Sequence, residues 1–146
     1  MSLYVGTSGW AYPEWKPAFY PAELPRRRFL EHYASVFGAC EINASFYQLQ
    51  DEDTFRRWRA ETGEHFRFAV KAHRRLTHFR RAGPIADRLA FLPGFMASLG
   101  PLGDRVGPVL FQFPPTTPRD DDLLARLLDA LPHHHDYAFE FRDGSW

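Results

Sequence analysis

Cysteine is nearly absent. Cys40 is the only one in 146 residues, so no disulfide can form within the chain, and a reducing, cytoplasmic compartment fits. Lysine is almost as scarce: of 18 basic residues only Lys16 and Lys71 are lysine. Arginine cannot replace an amine that must lose a proton, which draws attention to those two positions. Net charge is also missing. The 18 basic residues balance 18 acidic ones, which argues against bulk nucleic acid as the main partner. No apolar run approaches the ~20 residues that span a bilayer, so no membrane partner is expected. The N-terminal MSLYVGTSGW lacks the basic flank and apolar stretch of a signal peptide. There is no internal repeat, low-complexity tract or linker, and the expectation is one domain over residues 1–146.

Aromatic residues are abundant instead. They make up 16% of the chain, 14 of them Phe, within an otherwise ordinary globular composition, and they predict a ring-rich core. Short apolar runs at Leu3–Thr7, Ala39–Asn43, Phe66–Lys71, Pro108–Phe113 and Tyr137–Arg142 read as strands. Between them, Arg26–Phe37, Asp53–Thr62, Pro84–Leu99 and Asp120–Leu131 carry helical spacing or helix-end signals. Strand–helix alternation of this kind predicts βαβ units and a parallel sheet. The long segment Gly9–Pro25 holds Trp10, Tyr12, Trp15, Phe19 and Tyr20, which should pack it down against the rest of the chain.

Strand residues alternate between faces, and four of the five strands split in the same way. Cys40 and Ile42, then Phe66, Phe68 and Val70, then Val109, Phe111 and Phe113, then Phe139 and Phe141 form a large apolar face suited to covering helices. The opposite face starts small or apolar and turns polar toward each C-terminal end, through Glu41, Asn43, Lys71, His73, Gln112, Glu140 and Arg142. A sheet covered by helices on both faces has no place for such a row, whereas the mouth of a parallel barrel does. A closed barrel needs eight strands and more than ~200 residues. The expected fold is therefore an α/β, TIM-type (β/α) barrel, incomplete and cut after its fifth strand, with an open edge that favours self-association.

The opening VGTSGWAYPEWKPAFYP, followed by YASVFGACEINASFY, FRFAVKAHRRLTH, VGPVLFQFPP and the final FEFRDGSW, resembles the YecE-like family of unknown function, in order and over essentially the whole chain. The resemblance implies a parallel α/β barrel of about 250 residues, in keeping with the usual size of the fold. It implies that roughly the last three strands are missing here, and it supplies no reaction.

Each candidate residue has a chemical and a structural reading. Glu41 and Glu140 suit an acid/base pair, or structural ion pairs with Lys71 or Arg142. Lys71 suits a proton-transfer group, a Schiff-base amine or, foremost, an anion anchor. Asn43, Gln112 and Arg142 suit substrate-orienting donors, or a hydrogen-bond lattice that fixes packing. Trp10 could wall the mouth or belong to the core. Gly6-Thr7-Ser8-Gly9 matches no phosphate-binding fingerprint and reads as a tight turn. The basic run from Lys71 to Arg81 offers a site for phosphate or a nucleic-acid backbone, or a solvated loop.

His133, His134 and His135 lack the spacing of metal ligands. A divalent ion held by Glu41, His73 and Glu140 is a remote option, and no cofactor is indicated. The expected function is an enzyme acting on a small anionic or sugar-like substrate at the mouth, of hydrolase or isomerase type. The alternatives are a nucleic-acid or phosphoester-binding barrel, or a non-catalytic fragment.

Overall fold

The parallel strands inferred from the apolar runs form one sheet. A computed structural model describes residues 3–78 and 85–146. Its strands are β1 (Gly6–Ser8), β2 (Ala39–Ile42), β3 (Arg67–Lys71), β4 (Val106–Phe113) and β5 (Tyr137–Phe141), in sheet order β1-β2-β3-β4-β5 and all parallel. The sheet is open, with β1 and β5 at its edges. The helices are α1 (Phe29–Val36), α2 (Ala44–Tyr47), α3 (Glu52–Ala60), α4 (Arg74–Thr77), α5 (Ile85–Ser98) and α6 (Asp121–Ala130).

Local chemistry sets the helix ends. Asp51 caps α3 by accepting from the Thr54 amide at 2.7 Å, and Asp120 caps α6 by accepting from the Leu123 amide at 2.9 Å. Glu52 and Asp53 open α3, and Asp121 and Asp122 open α6, where acidic groups meet the positive end of the helix dipole. Pro84, expected at the start of the third helical segment, Pro84–Leu99, lies outside the described residues.

The face split holds in three dimensions. Cys40, Ile42, Phe68, Val70, Val109, Phe111 and Phe113 are buried in one core with Phe29, Leu30 and Tyr33 of α1, Phe55 of α3, Leu92, Phe95 and Met96 of α5 and Leu127 of α6. The opposite face, through Ala39, Glu41, Ala69, Lys71, Leu110, Gln112, Ala138 and Glu140, is half-buried. At β5, Phe139 stacks on Phe111 at 5.4 Å and Phe141 on Phe113 at 5.3 Å, and Trp146 covers Phe141 at 4.0 Å.

The aromatic segment between β1 and α1 is packed down, as its composition suggests. Tyr20 stacks on Phe29 at 3.9 Å and donates to the Trp10 carbonyl at 2.5 Å, while Trp15 lies against Phe19, Tyr20 and Tyr33. The sheet is pinned at its first edge by Tyr33. Its hydroxyl accepts from the Thr7 amide at 2.7 Å and donates to the Ala39 carbonyl at 3.0 Å.

Candidate functional site at the strand ends

Polar groups gather at the C-terminal ends of the strands in two clusters. In the first, Ser8 and Glu41 are register partners on β1 and β2, and the Ser8 hydroxyl donates to Glu41 Oε1 at 2.9 Å. Asn43, just past β2, donates to the same Ser8 oxygen at 2.6 Å. Beside them is a hollow of about 250 Å³ lined by Gly9, Trp10, Ala11, Tyr12, Glu41, Ile42, Asn43, Ala44 and Trp58. Its walls are fixed by ring packing: Trp10 meets Trp58 edge-on at 4.9 Å and Phe68 at 6.0 Å, and the Tyr12 hydroxyl donates to the Ser8 carbonyl at 2.6 Å.

In the second cluster, Gln112 and Glu140 are register partners on β4 and β5. Gln112 Nε2 donates to Glu140 Oε2 at 2.7 Å, and Arg142 Nε donates to Glu140 Oε1 at 2.5 Å. These two hydrogen bonds, Gln112 first, hold the Glu140 carboxyl below the usual glutamate range. Lys71, at the end of β3, lies with its ammonium 5.1 Å from the centre of the Phe46 ring. Among the described residues it has no carboxylate within ion-pair distance. The Phe46 ring also meets His78 edge-on at 4.9 Å. Burial pushes the His78 pKa down, and the charges of Lys71, Arg142 and Arg74 add to that.

Glu41 and Glu140 do not share a cluster, because β3 and β4 lie between their strands. Glu41 meets a hydroxyl, and Glu140 pairs with Arg142. Trp10 both walls the hollow and packs on the core cluster. His73 sits differently from the open row in which alternation put it: it is 7% exposed and caps α4. Its Nδ1 accepts from the Arg75 amide at 3.2 Å, and its ring lies against Phe91 at 5.0 Å. Burial is the main force lowering its pKa, opposed by a backbone hydrogen bond with Tyr47.

The basic run after β3 is partly folded inward, with Leu76 and Thr77 buried while Arg74 and Arg75 stay exposed. Arg80 and Arg81 lie outside the described residues. Among the described residues, no three His, Cys, Asp or Glu side chains come together to hold a metal ion. No helix there is long and apolar enough to cross a membrane.

Residues 4–146 match the family described as Protein of unknown function DUF72. The chain belongs to this family. It is 33% identical over 149 residues to the UPF0759 protein YunF of Bacillus subtilis, a match covering 99% of this chain and 52% of that protein. It is 30% identical over 141 residues to the UPF0759 protein YecE of Escherichia coli K12, covering 96% of this chain and 48% of that one. The crystal structure of a DUF72 family protein from Thermotoga maritima superimposes with a TM-score of 0.72 at 25% identity, over 93% of this chain and 55% of the other. One from Enterococcus faecalis gives 0.63 at 21% identity, over 80% and 49%. The chain thus spans about half the length of the DUF72 relatives it matches.

Three residues of this candidate site escaped the sequence reading, and a fourth, His78, entered it only as part of the basic run from Lys71 to Arg81. Ser8 was lost because the first strand was ended at Thr7, and strand alternation would have found it one residue further on. Tyr12 was seen only as part of an aromatic loop. Trp58 comes from α3 and His78 from beyond α4, so strand-face arguments have no purchase on either.

Proposed function

We propose that this DUF72 chain supplies the first five units of a TIM-type parallel barrel, and that its mouth binds and transforms a small anionic or sugar-like substrate. One observation carries the reading: carboxylates, amides and cations from β2, β3, β4 and β5 line the same end of the sheet, beside an aromatic-walled hollow. Sites in parallel barrels are built at that end. Fold alone assigns no chemistry, so the roles rest on the side chains.

Glu140 is one acid/base candidate, and because Gln112 and Arg142 keep it ionised with a lowered pKa it is better suited to stabilise positive charge than to take up a proton. Glu41 is the second acid/base group, at the edge of the hollow. Lys71 and Arg142 anchor an anionic group, Asn43 orients the substrate, and Trp10 walls it. His73 shapes the entry to α4 from beneath. The relatives' additional length would supply the remaining strands, so the reaction belongs to the completed barrel.

The test is ligand-induced stabilisation of the 146-residue protein by a panel of sugars, small carboxylates and phosphate esters, followed by Glu41→Gln and Glu140→Gln. Stabilisation by a panel member that either variant abolishes is the expected result. A panel without effect, or variants that bind as well as the parent, defeats the reading. Oligonucleotide binding with a steep salt dependence would favour a nucleic-acid partner for the exposed Arg74 and Arg75 instead.

A further inference from the structure

Two chemistries meet at the mouth on different strands. Over β1 and β2 the hollow is walled by Trp10, Tyr12 and Trp58, with Glu41 and Asn43 at its rim. Beyond it, at β3 and β5, the groups are cationic. Lys71 and His78 both lie on the Phe46 ring, Nζ at 5.1 Å and the imidazole at 4.9 Å from its centre. Arg142 stands close enough for its charge to act on His78. The carboxylate of this corner, Glu140, already has both oxygens occupied by Gln112 and Arg142. The Thr77 hydroxyl engages His78 Nδ1 at 3.0 Å, and among the described residues no hydrogen bond is made by Nε2, the ring nitrogen assigned here to a ligand.

We propose that His78 joins Lys71 and Arg142 as an anion subsite while the hollow takes an uncharged ring, so that the site fits a sugar or other polyol ring bearing one anionic group, as in a sugar monophosphate. This rests on the mouth being the substrate site. The span agrees with the sheet. Glu41 pairs with Ala69, two residues before Lys71 on the adjacent strand. One strand spacing and two residue rises separate the Glu41 and Lys71 backbones by about 8 Å, which a hexose ring with an exocyclic phosphate can bridge. An inorganic anion alone would leave the aromatic walls bare, and a neutral sugar alone would leave Lys71, which has no carboxylate within ion-pair distance among the described residues, without a direct anionic partner.

The experiment titrates the protein at low salt with glucose 6-phosphate, glucose and inorganic phosphate, read by calorimetry and by the fluorescence of Trp10 and Trp58. Glucose 6-phosphate is expected to bind about tenfold more tightly than either part alone. His78→Gln should weaken glucose 6-phosphate and phosphate by about tenfold and leave glucose unchanged. Trp10→Ala should weaken glucose 6-phosphate and glucose and leave phosphate unchanged. Circular dichroism melts of both variants establish that they are folded. Arg126→Ala, an exposed charge on α6, controls for non-specific attraction.

Phosphate binding as tightly as glucose 6-phosphate would show the hollow unused, and equal binding of glucose would show the cationic corner unused; either overturns the proposal. So does a folded His78→Gln that binds unchanged. If none of the three binds while another panel compound does, and Glu41→Gln abolishes that binding, the sugar-phosphate assignment falls and the proposed function stands. If nothing in the panel binds, both fall.

Discussion

Gln112 reaches across the register pair from β4 to β5 and donates to Glu140 at 2.7 Å. A neutral amide and the Arg142 guanidinium therefore stabilise the same carboxylate, each on its own oxygen. The folded-state pKa of Glu140 is lowered by them. A lowered acid pKa adds stability above the unfolded value, about 4.3, and that stability is lost as pH falls through the folded value. A carbon-detected NMR titration should place the Glu140 midpoint below that of an ordinary glutamate, and Gln112→Leu should raise it. A midpoint unmoved by Gln112→Leu would mean that the amide does not hold the carboxylate in solution.

Tyr33 carries the first cluster from underneath. Its hydroxyl bridges the Thr7 amide and the Ala39 carbonyl, which hold the register that sets Ser8 opposite Glu41. The ring is fully buried, so Tyr33→Phe keeps the packing and strips two backbone groups of their partner. The expected cost is about 1–3 kcal/mol in urea denaturation. A neutral substitution would mean that water or a shift of β1 replaces the hydroxyl.

Cys40 should be inert in the native state. Burial pushes its thiol up to about 12, and its Sγ lies 3.3 Å from the Thr7 carbonyl. The thiolate is the reactive form, so labelling by a disulfide reagent near pH 8 should be slow and should follow unfolding. Rapid stoichiometric labelling of the folded protein would show that β1 opens readily from β2. The raised pKa also has a sign. Its contribution to stability is complete below the unfolded cysteine value of about 8.5 and is lost as pH rises from there toward the folded value.

The sheet was legible because large apolar residues alternate with small or polar ones on β2 to β5, and burial follows that alternation on β2, on β3 and from Val109 to Phe113 of β4, while β5 at the edge is half-buried throughout. The four longer helices were legible from leucine and phenylalanine spacing and from terminal Asp and Pro. The two four-residue helices, Ala44–Tyr47 and Arg74–Thr77, were not, since one turn is too short to display a period. The same limit explains His73, which strand alternation extended into the mouth after the strand had ended at Lys71. Glu41, Asn43, Gln112, Glu140 and Arg142 were found because a strand's face is a local property. Trp58 reaches the site through packing on Trp10, 48 positions earlier in the chain, which no local pattern encodes, whereas His78 was visible only as one member of the basic run after β3.

Gly6 and Gly94 separate a glycine the fold requires from one it does not. A β-carbon at Gly6 would lie 1.8 Å from the Ala39 carbonyl oxygen and 2.5 Å from its carbon, both backbone atoms of the neighbouring strand. No rotamer relieves that contact, so β1 must move away from β2, taking Ser8 from Glu41 and Thr7 from Tyr33. Gly94 lies inside α5, exposed, and a β-carbon there meets nothing within 4 Å. Alanine at that position gains helix propensity at no steric cost, about 1 kcal/mol. In urea denaturation, Gly6→Ala should lose on the order of 3 kcal/mol or more, and Gly94→Ala should gain up to about 1 kcal/mol, with the slope unchanged in the second case. A Gly6→Ala protein as stable as the parent would falsify the close approach of β1 to β2 and with it the geometry of the Ser8–Glu41–Asn43 cluster.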